Sequence, residues 1–235
     1  MFTIPKAFHG QTSVIQKNAI MSWLQLRPAC QVILLGDDSG TAEIAGELGL
    51  LHLSNVQRSR YGTPLVNSMF TLAQQAAEYP LMCYINADII LLDDFLPVVQ
   101  SVNKKPALIV GQRWDLDVSE QLDFQNKDWQ RPLLQQLRQN GKLHGISGMD
   151  YFVYSQGVFF DIPRFAVGRT TWDTWLIYRA EKSGAAVIDA TEVITAVHQN
   201  HDYNHDSGGA TNVWKGPEAV TNRSLAGNGR HMLTP

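Results

Sequence analysis

Three groups of polar residues follow short apolar runs in the first half of the chain, and their side chains are the best suited to chemistry. The first group is Asp37-Asp38, the second extends from Arg58 to Pro64, and the third is Asn86-Ala87-Asp88. In an open sheet flanked by helices, ligands bind outside the carboxyl ends of the strands. If the apolar runs are parallel strands, the three groups therefore converge on one crevice.

Asp88 is the residue of these groups that is best suited to hold a divalent cation. Hard cations prefer carboxylate oxygens on a rigid strand end, and such a cation screens the charge that develops on a diphosphate leaving group. Asn86 lies on the same face two residues earlier, where its amide can reach a ribose hydroxyl or a metal-bound water. The alternative is that both side chains only satisfy backbone groups in a strand-to-loop turn.

A histidine-rich stretch from Val197 to His205 has the most unusual local composition in the chain. Imidazole is a common ligand for transition metals, and an apolar strand that leads into His198 would deliver this side chain to the cation held by Asp88. We therefore predict His198 as a metal ligand, with His201 as a further candidate, in a mixed site suited to Mn²⁺. The alternative is an exposed polar loop, and His205 receives no role.

The second half of the chain offers residues for a second substrate. Asp173 is predicted in the first turn of a helix, where it can take a proton from an acceptor hydroxyl. The indoles of Trp172 and Trp175 would form a platform for this acceptor through their apolar faces. An equal alternative is that the helix dipole alone favours Asp173 and that both tryptophans belong to the core.

Asp150 and Arg113 are further candidates in this half. Asp150 follows a glycine-rich segment and stands at a strand start, where it can accept hydrogen bonds from sugar hydroxyls, and we count it among the catalytic candidates. Arg113 can bind a phosphate or contact the region of Asp150. The alternatives are an ordinary turn carboxylate for Asp150 and packing over Trp114 for Arg113.

The elements that must position these residues follow from the spacing of apolar side chains. Short apolar runs alternate with amphipathic stretches at helical spacing, which is typical of βα units wound on a mostly parallel sheet. A capping box of Ser13 and Gln16 predicts the start of the first helix, and Thr63 with Pro64 predicts the start of the third. The predicted strands are Gln31–Leu35, Leu50–Leu53, Leu81–Ile85 and Ala107–Val110, and the predicted helices are Ser13–Leu24, Thr41–Leu48 and Thr63–Glu78.

The second half is predicted to be an α+β continuation. A polar stretch from Asp115 to Asp128 is expected to be an exposed excursion. We predict one domain over residues 1–205, with a nucleotide-binding half at 1–112 and an acceptor-side half at 113–205, followed by a Gly/Asn-rich tail or lid at 206–235. The predicted strands of this half are Tyr151–Tyr154, Val158–Phe160 and Ala186–Val197, and the predicted helices are Pro132–Gln139 and Trp172–Lys182.

The composition argues against several other classes of protein. A formal net charge of −3 in 235 residues, with both signs interspersed, leaves no run of basic residues for a nucleic-acid partner. Cys30 and Cys83 have neither metal-knuckle nor disulfide spacing and are predicted to be reduced, buried thiols. The amino terminus lacks a signal pattern and no apolar window is long enough for a transmembrane segment, so a cytoplasmic location is expected.

Four short motifs occur in an informative order along the chain: Thr3-Ile4-Pro5, Leu35-Gly36-Asp37-Asp38, Arg60-Tyr61-Gly62-Thr63-Pro64 and Tyr84-Ile85-Asn86-Ala87-Asp88-Ile89. Through them the chain resembles the nucleotide-sugar-dependent glycosyltransferases of the GT-A fold, in particular their family 2. The likeness extends to about Tyr203 as an order of elements and is sharp in the motifs. It implies a Rossmann-like α/β fold with a mostly parallel central sheet flanked by helices.

The resemblance also implies ligands: a nucleotide-diphosphate-sugar donor, a carbohydrate or other hydroxyl acceptor, and a divalent cation, Mn²⁺ or Mg²⁺. These enzymes bind the cation at an aspartate-x-aspartate motif, and Asn86 stands where the first aspartate would be. Asp88 is then the metal ligand of the motif, and Asn86 contacts the ribose or a metal-bound water. By the resemblance, the residues around the donor are Thr3, Pro5, Asp37, Asp38, Arg60, Asn86 and Asp88. An equal alternative for Asp37 and Asp38 is that they cap the following helix, and the alternative for Arg60 is a solvent-facing surface position.

Two other functions fit parts of the sequence. A nucleotidyltransferase of similar fold would cradle a triphosphate in a glycine-rich loop after the first strand, but the segment from Pro5 to Gly10 is poor in glycine. A non-catalytic module that binds a nucleotide or a metal would not need the acceptor-side candidates Asp150, Trp172 and Asp173. Sugar transfer is therefore the predicted activity, with the sugar, the base, the acceptor and the stereochemistry left open.

Overall fold

The computed structural model describes residues 1–201 and 213–227, which form two β-sheets with helices packed around them. The strands are β1 (Phe2–Thr3), β2 (Ile33–Leu35), β3 (Leu51–Leu53), β4 (Leu81–Ile85), β5 (Ile89–Leu91), β6 (Ala107–Val110), β7 (Trp114–Leu116), β8 (Lys142–Leu143), β9 (Tyr151–Ser155), β10 (Ala186–Asp189) and β11 (Ala196–Gln199). The helices are α1 (Gly10–Gln25), α2 (Thr41–Leu48), α3 (Val66–Ala76), α4 (Phe95–Ser101), α5 (Gln130–Asn140), α6 (Trp172–Lys182) and α7 (Pro217–Leu225).

The central sheet has seven strands in the order β10-β6-β9-β4-β1-β2-β3. Strand β9 runs antiparallel to its neighbours β4 and β6, and the other neighbouring strands are parallel. The register places Phe2 beside both Ile33 and Tyr84, so β1 lies between β2 and β4. The predicted mostly parallel sheet is confirmed, and the carboxyl ends of β1, β2 and β4 meet at one edge.

Helices cover both faces of this sheet, because its strands carry apolar side chains on both sides. Along β4, Met82 and Tyr84 belong to a core that includes residues of α3 and α6, whereas Cys83 and Ile85 belong to a core that includes residues of α1 and α2. Burial on both faces explains the continuous apolar run of this strand. The predicted bounds of α2, β4, β6 and α6 are confirmed.

The second sheet has four strands in the order β5-β11-β7-β8. His198 of β11 pairs with Ile89 of β5 on one side and with Asp115 of β7 on the other. Asp115 in turn pairs with Lys142 of β8. This register aligns residues from four separate segments of the chain in one row.

The small sheet corrects the prediction of an exposed excursion from Asp115 to Asp128. Strand β7 lies in this segment, and both Leu116 and Val118 are buried. Their alternation with aspartates is the pattern of a strand with one buried face. The prediction was wrong for residues 115–118, because β7 pairs with β11, which lies far along the chain and gives no local signal. Most residues from 119 to 128 are exposed, as predicted.

The start of α1 also differs from the prediction. The helix begins at Gly10 instead of Ser13, and the side chain of Gln16 bonds to the backbone of Lys6 instead of closing a capping box. The amide nitrogen of Lys6 donates to Gln16 Oε1 at 2.6 Å, and Gln16 Nε2 donates to the carbonyl of Lys6 at 2.8 Å. Gln16 therefore fixes the segment that follows β1.

Three further boundaries are corrected. Helix α3 begins at Val66 instead of Thr63, because Pro64 makes a β-bridge to Arg58 before the helix starts. The segment Val158–Phe160 is irregular, and the predicted strand Ala186–Val197 is two strands that lie in different sheets.

Cys83 is buried as predicted, whereas Cys30 is partly exposed. Among the helices in the described parts of the chain, none has the length and apolar character needed to span a bilayer.

Helix α7 lies in the segment that was predicted to be a tail or lid. Its residue Asn222 is buried and holds the loop before α6 through three hydrogen bonds. Asn222 Oδ1 accepts from the amide of Ala166 at 2.9 Å, and Nδ2 donates to the carbonyls of Ala166 at 3.0 Å and Thr170 at 3.2 Å. The helix is thus anchored to the loop that leads into Asp173.

We expect Asn222→Ala to lower the free energy of unfolding by about 2 kcal/mol, because it leaves buried backbone groups of Ala166 without partners. Urea denaturation measures this loss. Thr221→Ala, at an exposed position of the same helix, is the matched control and should change stability by less than about 0.5 kcal/mol. Equal effects of the two substitutions would show that α7 is not anchored through Asn222.

Candidate active site

A cleft of about 1030 Å³ opens at the edge where β1, β2 and β4 end. Its volume suits a ligand of the size of a nucleotide sugar, since ligand pockets commonly measure about 300–1,000 Å³. The three polar groups converge there as expected. Of the predicted site residues, those that line the cleft are Pro5, Asp38, Asn86, Asp88, Arg113, His198 and His201. Those outside the lining are Thr3, Asp37, Arg60, Asp150, Trp172, Asp173 and Trp175.

Asp88, His198 and His201 form a cluster in the cleft, with one potential ligand atom of each lying within 4.8 Å of the others. Asp88 directly precedes β5, and the pairing of His198 with Ile89 brings β11 beside it. His201 Nε2 lies 3.1 Å from Asp88 Oδ2, and His198 Nε2 lies 3.7 Å from the same oxygen. The sheet register therefore assembles two imidazoles and a carboxylate.

The electrostatics of the cluster favour the protonation states that a metal requires. Burial alone would raise the pKa of Asp88, but the hydrogen bond with His201 and the charges of His198, His201 and Lys6 hold this pKa well below its usual range. Burial lowers the pKa of His198, although Asp88 opposes this shift. A deprotonated carboxylate and a neutral imidazole are the ligand forms that bind cations.

Two buried atoms of the cluster lack hydrogen bonds. Within the described parts of the chain, neither Asp88 Oδ1 nor His198 Nδ1 has a hydrogen-bond partner. A buried carboxylate oxygen without a partner costs stability unless a ligand satisfies it. The donor set of one carboxylate and two imidazoles suits Mn²⁺ and similar divalent cations, so the residues present fit the predicted metal.

Asn86 is held by two neighbours behind the cluster. Tyr84 Oη donates to Asn86 Oδ1 at 2.8 Å, and Asn86 Nδ2 donates to Asp150 Oδ1 at 2.6 Å. The other carboxylate oxygen of Asp150 accepts from Arg113, which also donates to Asp115 at 3.0 Å. Asp150 is buried and engaged at both oxygens, so the structure gives it a place in the wall behind the cleft.

Elsewhere in the cleft, Arg58 contacts the acidic pair Asp37-Asp38. It donates to Asp37 and lies 3.4 Å from Asp38 Oδ2. The hydrogen bond from Arg58 holds the pKa of Asp37 below its ordinary value. Arg60, the arginine predicted for the donor, is exposed and lies over the ring of Tyr61. Of the two arginines in this loop, Arg58 lines the cleft and Arg60 does not.

Asp173 lies in the first turn of α6 and does not line the cleft. The neighbouring Trp172 packs edge-on against Tyr84, which lines the cleft, with their ring centroids 5.3 Å apart. Burial raises the pKa of Asp173 to about 6, and the charge of Asp150 adds to this effect. Trp172 and Trp175 are 7% and 8% exposed and belong to the core, which matches the alternative left open for them.

Sequence reasoning missed several residues around the cleft. Lys6 and Arg169 line it, and their positions after β1 and before α6 were the signals that could have indicated them. Glu218 of α7 accepts from Thr63 Oγ1 at 2.7 Å and from Arg169 Nε at 3.2 Å. Glu218 lies in a segment predicted to be a tail, so no local pattern indicated this contact.

No protein-family model matches the chain, and no curated protein matches it at a significant level. Solved structures do match. Glucosyl-3-phosphoglycerate synthase from Mycobacterium tuberculosis, in complex with Mn²⁺, uridine-diphosphate-glucose and phosphoglyceric acid, gives a TM-score of 0.51 at 18% identity, covering 96% of this chain and 79% of that chain. Its complex with Mg²⁺ and uridine-diphosphate gives 0.52 at 16% identity, covering 96% and 78%. A structure described as a mycobacterial protein gives 0.55 at 14% identity, covering 96% and 74%.

At these identities the matches establish the fold. The chain has the α/β architecture of the GT-A nucleotide-sugar glycosyltransferases, with a seven-stranded central sheet flanked by helices. The predicted α/β fold with a mostly parallel central sheet is confirmed.

Proposed function

We propose that the chain is a metal-dependent glycosyltransferase that moves a sugar from a nucleotide-diphosphate-sugar donor to an acceptor hydroxyl. The observation that carries this proposal is the cluster of Asp88, His198 and His201 in a cleft at the carboxyl edge of a GT-A sheet. The structures of similar fold contain Mn²⁺ with uridine-diphosphate-glucose, or Mg²⁺ with uridine-diphosphate. Their ligands support a nucleoside-diphosphate sugar and a divalent cation as ligands of this cleft.

In this proposal Asp88, His198 and His201 hold the cation, and Asn86-Ala87-Asp88 is the aspartate-x-aspartate-like motif. A divalent cation neutralises the charge that develops on the departing diphosphate. Asn86 acts through its bonds to Tyr84 and Asp150, which fix the turn that carries Asp88. Asp150 likewise orients Asn86 and Arg113 instead of reacting itself.

The donor's nucleotide occupies the end of the cleft between Pro5 and the ion pair of Asp38 with Arg58. The carboxylate of Asp38 can accept hydrogen bonds from the nucleotide base. The guanidinium of Arg58 can stack on the base or bind a phosphate. Arg113 lines the cleft beside the metal cluster, where its charge favours the diphosphate. Contacts of Thr3, Asp37 and Arg60 with the donor stay predictions.

Asp173 is the proposed general base that takes the proton from the acceptor hydroxyl. A carboxylate with a pKa of about 6 is a stronger base than an ordinary one and remains ionised at neutral pH. Trp172 and Trp175 serve the acceptor indirectly, because their burial fixes the helix start that carries Asp173. An inverting reaction needs such a base, whereas a retaining one does not.

The division into a donor half at 1–112 and an acceptor half at 113–205 belongs to this proposal. Of the predicted tail or lid at 206–235, residues 206–212 and 228–235 lie outside the described parts of the chain. The cytoplasmic location and a carbohydrate or other hydroxyl acceptor also stay predictions. Both halves contribute to the metal cluster, since Asp88 comes from the first and the histidines come from the second.

We expect one class of nucleotide sugar to raise the melting temperature in the presence of Mn²⁺. Ligand at about a hundredfold excess over its Kd adds about 2.7 kcal/mol of stability, or about 5 to 10 °C for a chain of this size. A thermal-shift panel of nucleotide sugars, with Mn²⁺ or with EDTA, measures this effect. Nucleoside triphosphates and sugar phosphates belong in the same panel.

Asp88→Asn is expected to lose the cation-dependent part of the shift. Asp128→Asn is the matched control, because Asp128 is exposed and does not line the cleft. If no nucleotide sugar stabilises the wild type in a cation-dependent manner, the proposed donor is wrong. A shift confined to a nucleoside triphosphate would support nucleotidyl transfer instead.

A further inference from the structure

The small sheet carries a row of four polar side chains that begins at the metal cluster. Each strand or its flank supplies one member: Asp88 precedes β5, His198 lies in β11, Asp115 lies in β7, and His144 follows β8. His198 and Asp115 are direct neighbours in the parallel register of β11 and β7. Side chains of directly paired residues lie on the same face of a sheet, so the register itself brings this imidazole and this carboxylate together.

Asp115 is the centre of this row. Its Oδ2 lies 2.6 Å from His144 Nδ1, and its Oδ1 accepts from Arg113 Nε at 3.0 Å. His198 Nδ1 lies 3.2 Å from the same Oδ1. Two groups from separate segments therefore fix the carboxylate, and it faces the ring nitrogen of His198 that is remote from Asp88.

The two nitrogens of His198 have different surroundings. Nε2 points toward Asp88 Oδ2 at 3.7 Å, and Nδ1 is buried and has no aligned hydrogen bond within the described residues. The distance from Nδ1 to Asp115 is short enough for a hydrogen bond, so alignment alone is missing. A carboxylate oxygen at this distance favours the proton on Nδ1, which leaves the lone pair on Nε2.

Building on the proposed metal-dependent function, we propose that Asp115 is a positioning residue for the metal ligand His198. It holds the proton of the imidazole on Nδ1 and so directs the lone pair of Nε2 toward the cation. A carboxylate partner on the remote nitrogen orients a ligating histidine and raises its basicity. His144 and Arg113 hold Asp115 in place for this role.

The first test uses the unaltered protein. Long-range ¹H–¹⁵N NMR of the metal-free chain distinguishes the two neutral tautomers of an imidazole, and a His198→Gln variant assigns the signals. We expect His198 to carry its proton on Nδ1 at a pH where the ring is neutral. A proton on Nε2 would overturn the proposal, whatever the substitutions below do to the fold.

The second test is the affinity for Mn²⁺ alone, measured by calorimetry and by the electron paramagnetic resonance signal of free Mn²⁺. Asp115→Asn keeps the size of the side chain but removes the charge that favours a proton on Nδ1. We expect it to weaken Mn²⁺ binding by about 10-fold to 100-fold. Asp128→Asn removes an exposed carboxylate and should leave the affinity unchanged.

Asp88→Asn separates the failure of this proposal from the failure of the proposed function. If the wild type binds Mn²⁺, Asp88→Asn abolishes binding and Asp115→Asn leaves the affinity unchanged, the metal site stands and the positioning role is overturned. If the wild type binds no Mn²⁺, the metal site and the role of Asp115 fall together. Weaker binding in Asp115→Asn with a native fold supports the role.

Discussion

Replacing Asp88 by asparagine is expected to lower kcat by about 10³-fold, because it removes the carboxylate charge at the centre of the metal cluster. Neutralisation of a departing diphosphate by a cation is worth several kcal/mol, and about 4 kcal/mol corresponds to this loss. Asparagine has nearly the same size, so the fold should persist. The rate of nucleoside-diphosphate release at saturating Mn²⁺ measures the effect, and circular dichroism monitors the fold.

The environment of Asp88 explains why this residue should dominate. It is the carboxylate that both histidines face, and one of its oxygens has no hydrogen bond within the described residues. Asp128→Asn changes an exposed carboxylate of the same charge and should retain full activity. A folded Asp88→Asn variant with normal turnover would show that Asp88 does not bind the cation.

The second large effect is expected for Asp173→Asn, which should lower kcat by about 10²-fold to 10⁴-fold while leaving donor and Mn²⁺ affinity unchanged. The same substitution should raise the free energy of unfolding at pH 7 by on the order of 1 to 3 kcal/mol. Burial raises the pKa of Asp173 to about 6, so the charged carboxylate destabilises the folded protein at pH 7. Asparagine removes this charge.

The pH dependence follows from the sign of this shift. The folded-state pKa lies above the ordinary value, so protonated Asp173 stabilises the fold at low pH and this stability is lost as the pH rises through about 6. The stability gain of Asp173→Asn should therefore be small near pH 4 and complete above about pH 6. The transfer rate of the wild type should rise over the same range, as the carboxylate becomes available as a base.

Steady-state rates from pH 4 to pH 8 test the predicted change in activity, and urea denaturation over the same range tests the predicted change in stability. Both are measured for the wild type and for Asp173→Asn. Asp128→Asn is again the control and should follow the wild type in both assays. A folded Asp173→Asn variant with an unchanged rate would exclude Asp173 as the base and would favour a retaining reaction. If Asp173→Asn lost activity without gaining stability, burial would not destabilise the charged carboxylate of Asp173.

Local patterns predicted the elements whose signals are contained in a few consecutive residues. The bounds of α2, β4, β6 and α6 follow from apolar runs and from the turn residues around them. The convergence of the segments that contain Asp38, Arg58–Pro64 and Asp88 on one cleft followed from the rule that ligands bind at the carboxyl edge of a parallel sheet.

What the sequence could not provide is pairing between distant segments. The small sheet joins β5, β7, β8 and β11, so the row from Asp88 to His144 is invisible until the strands are aligned. The choice of Arg58 over Arg60 depends on which residue of a turn points inward, and no periodicity encodes that choice. The anchoring of α7 by Asn222 is likewise a contact between remote segments, set by packing.

The most direct test of the central claim is to identify the products that form when the cognate nucleotide sugar is incubated with the wild type. With Mn²⁺ present, we predict a nucleoside diphosphate and a glycosylated acceptor or free sugar. We predict neither product with EDTA, and product formation about 10³-fold slower with Asp88→Asn. Mass spectrometry distinguishes these products from pyrophosphate and a nucleotide sugar made from a nucleoside triphosphate. Release of the nucleoside diphosphate at the same rate in EDTA would contradict the account, because the metal cluster would then have no part in the reaction.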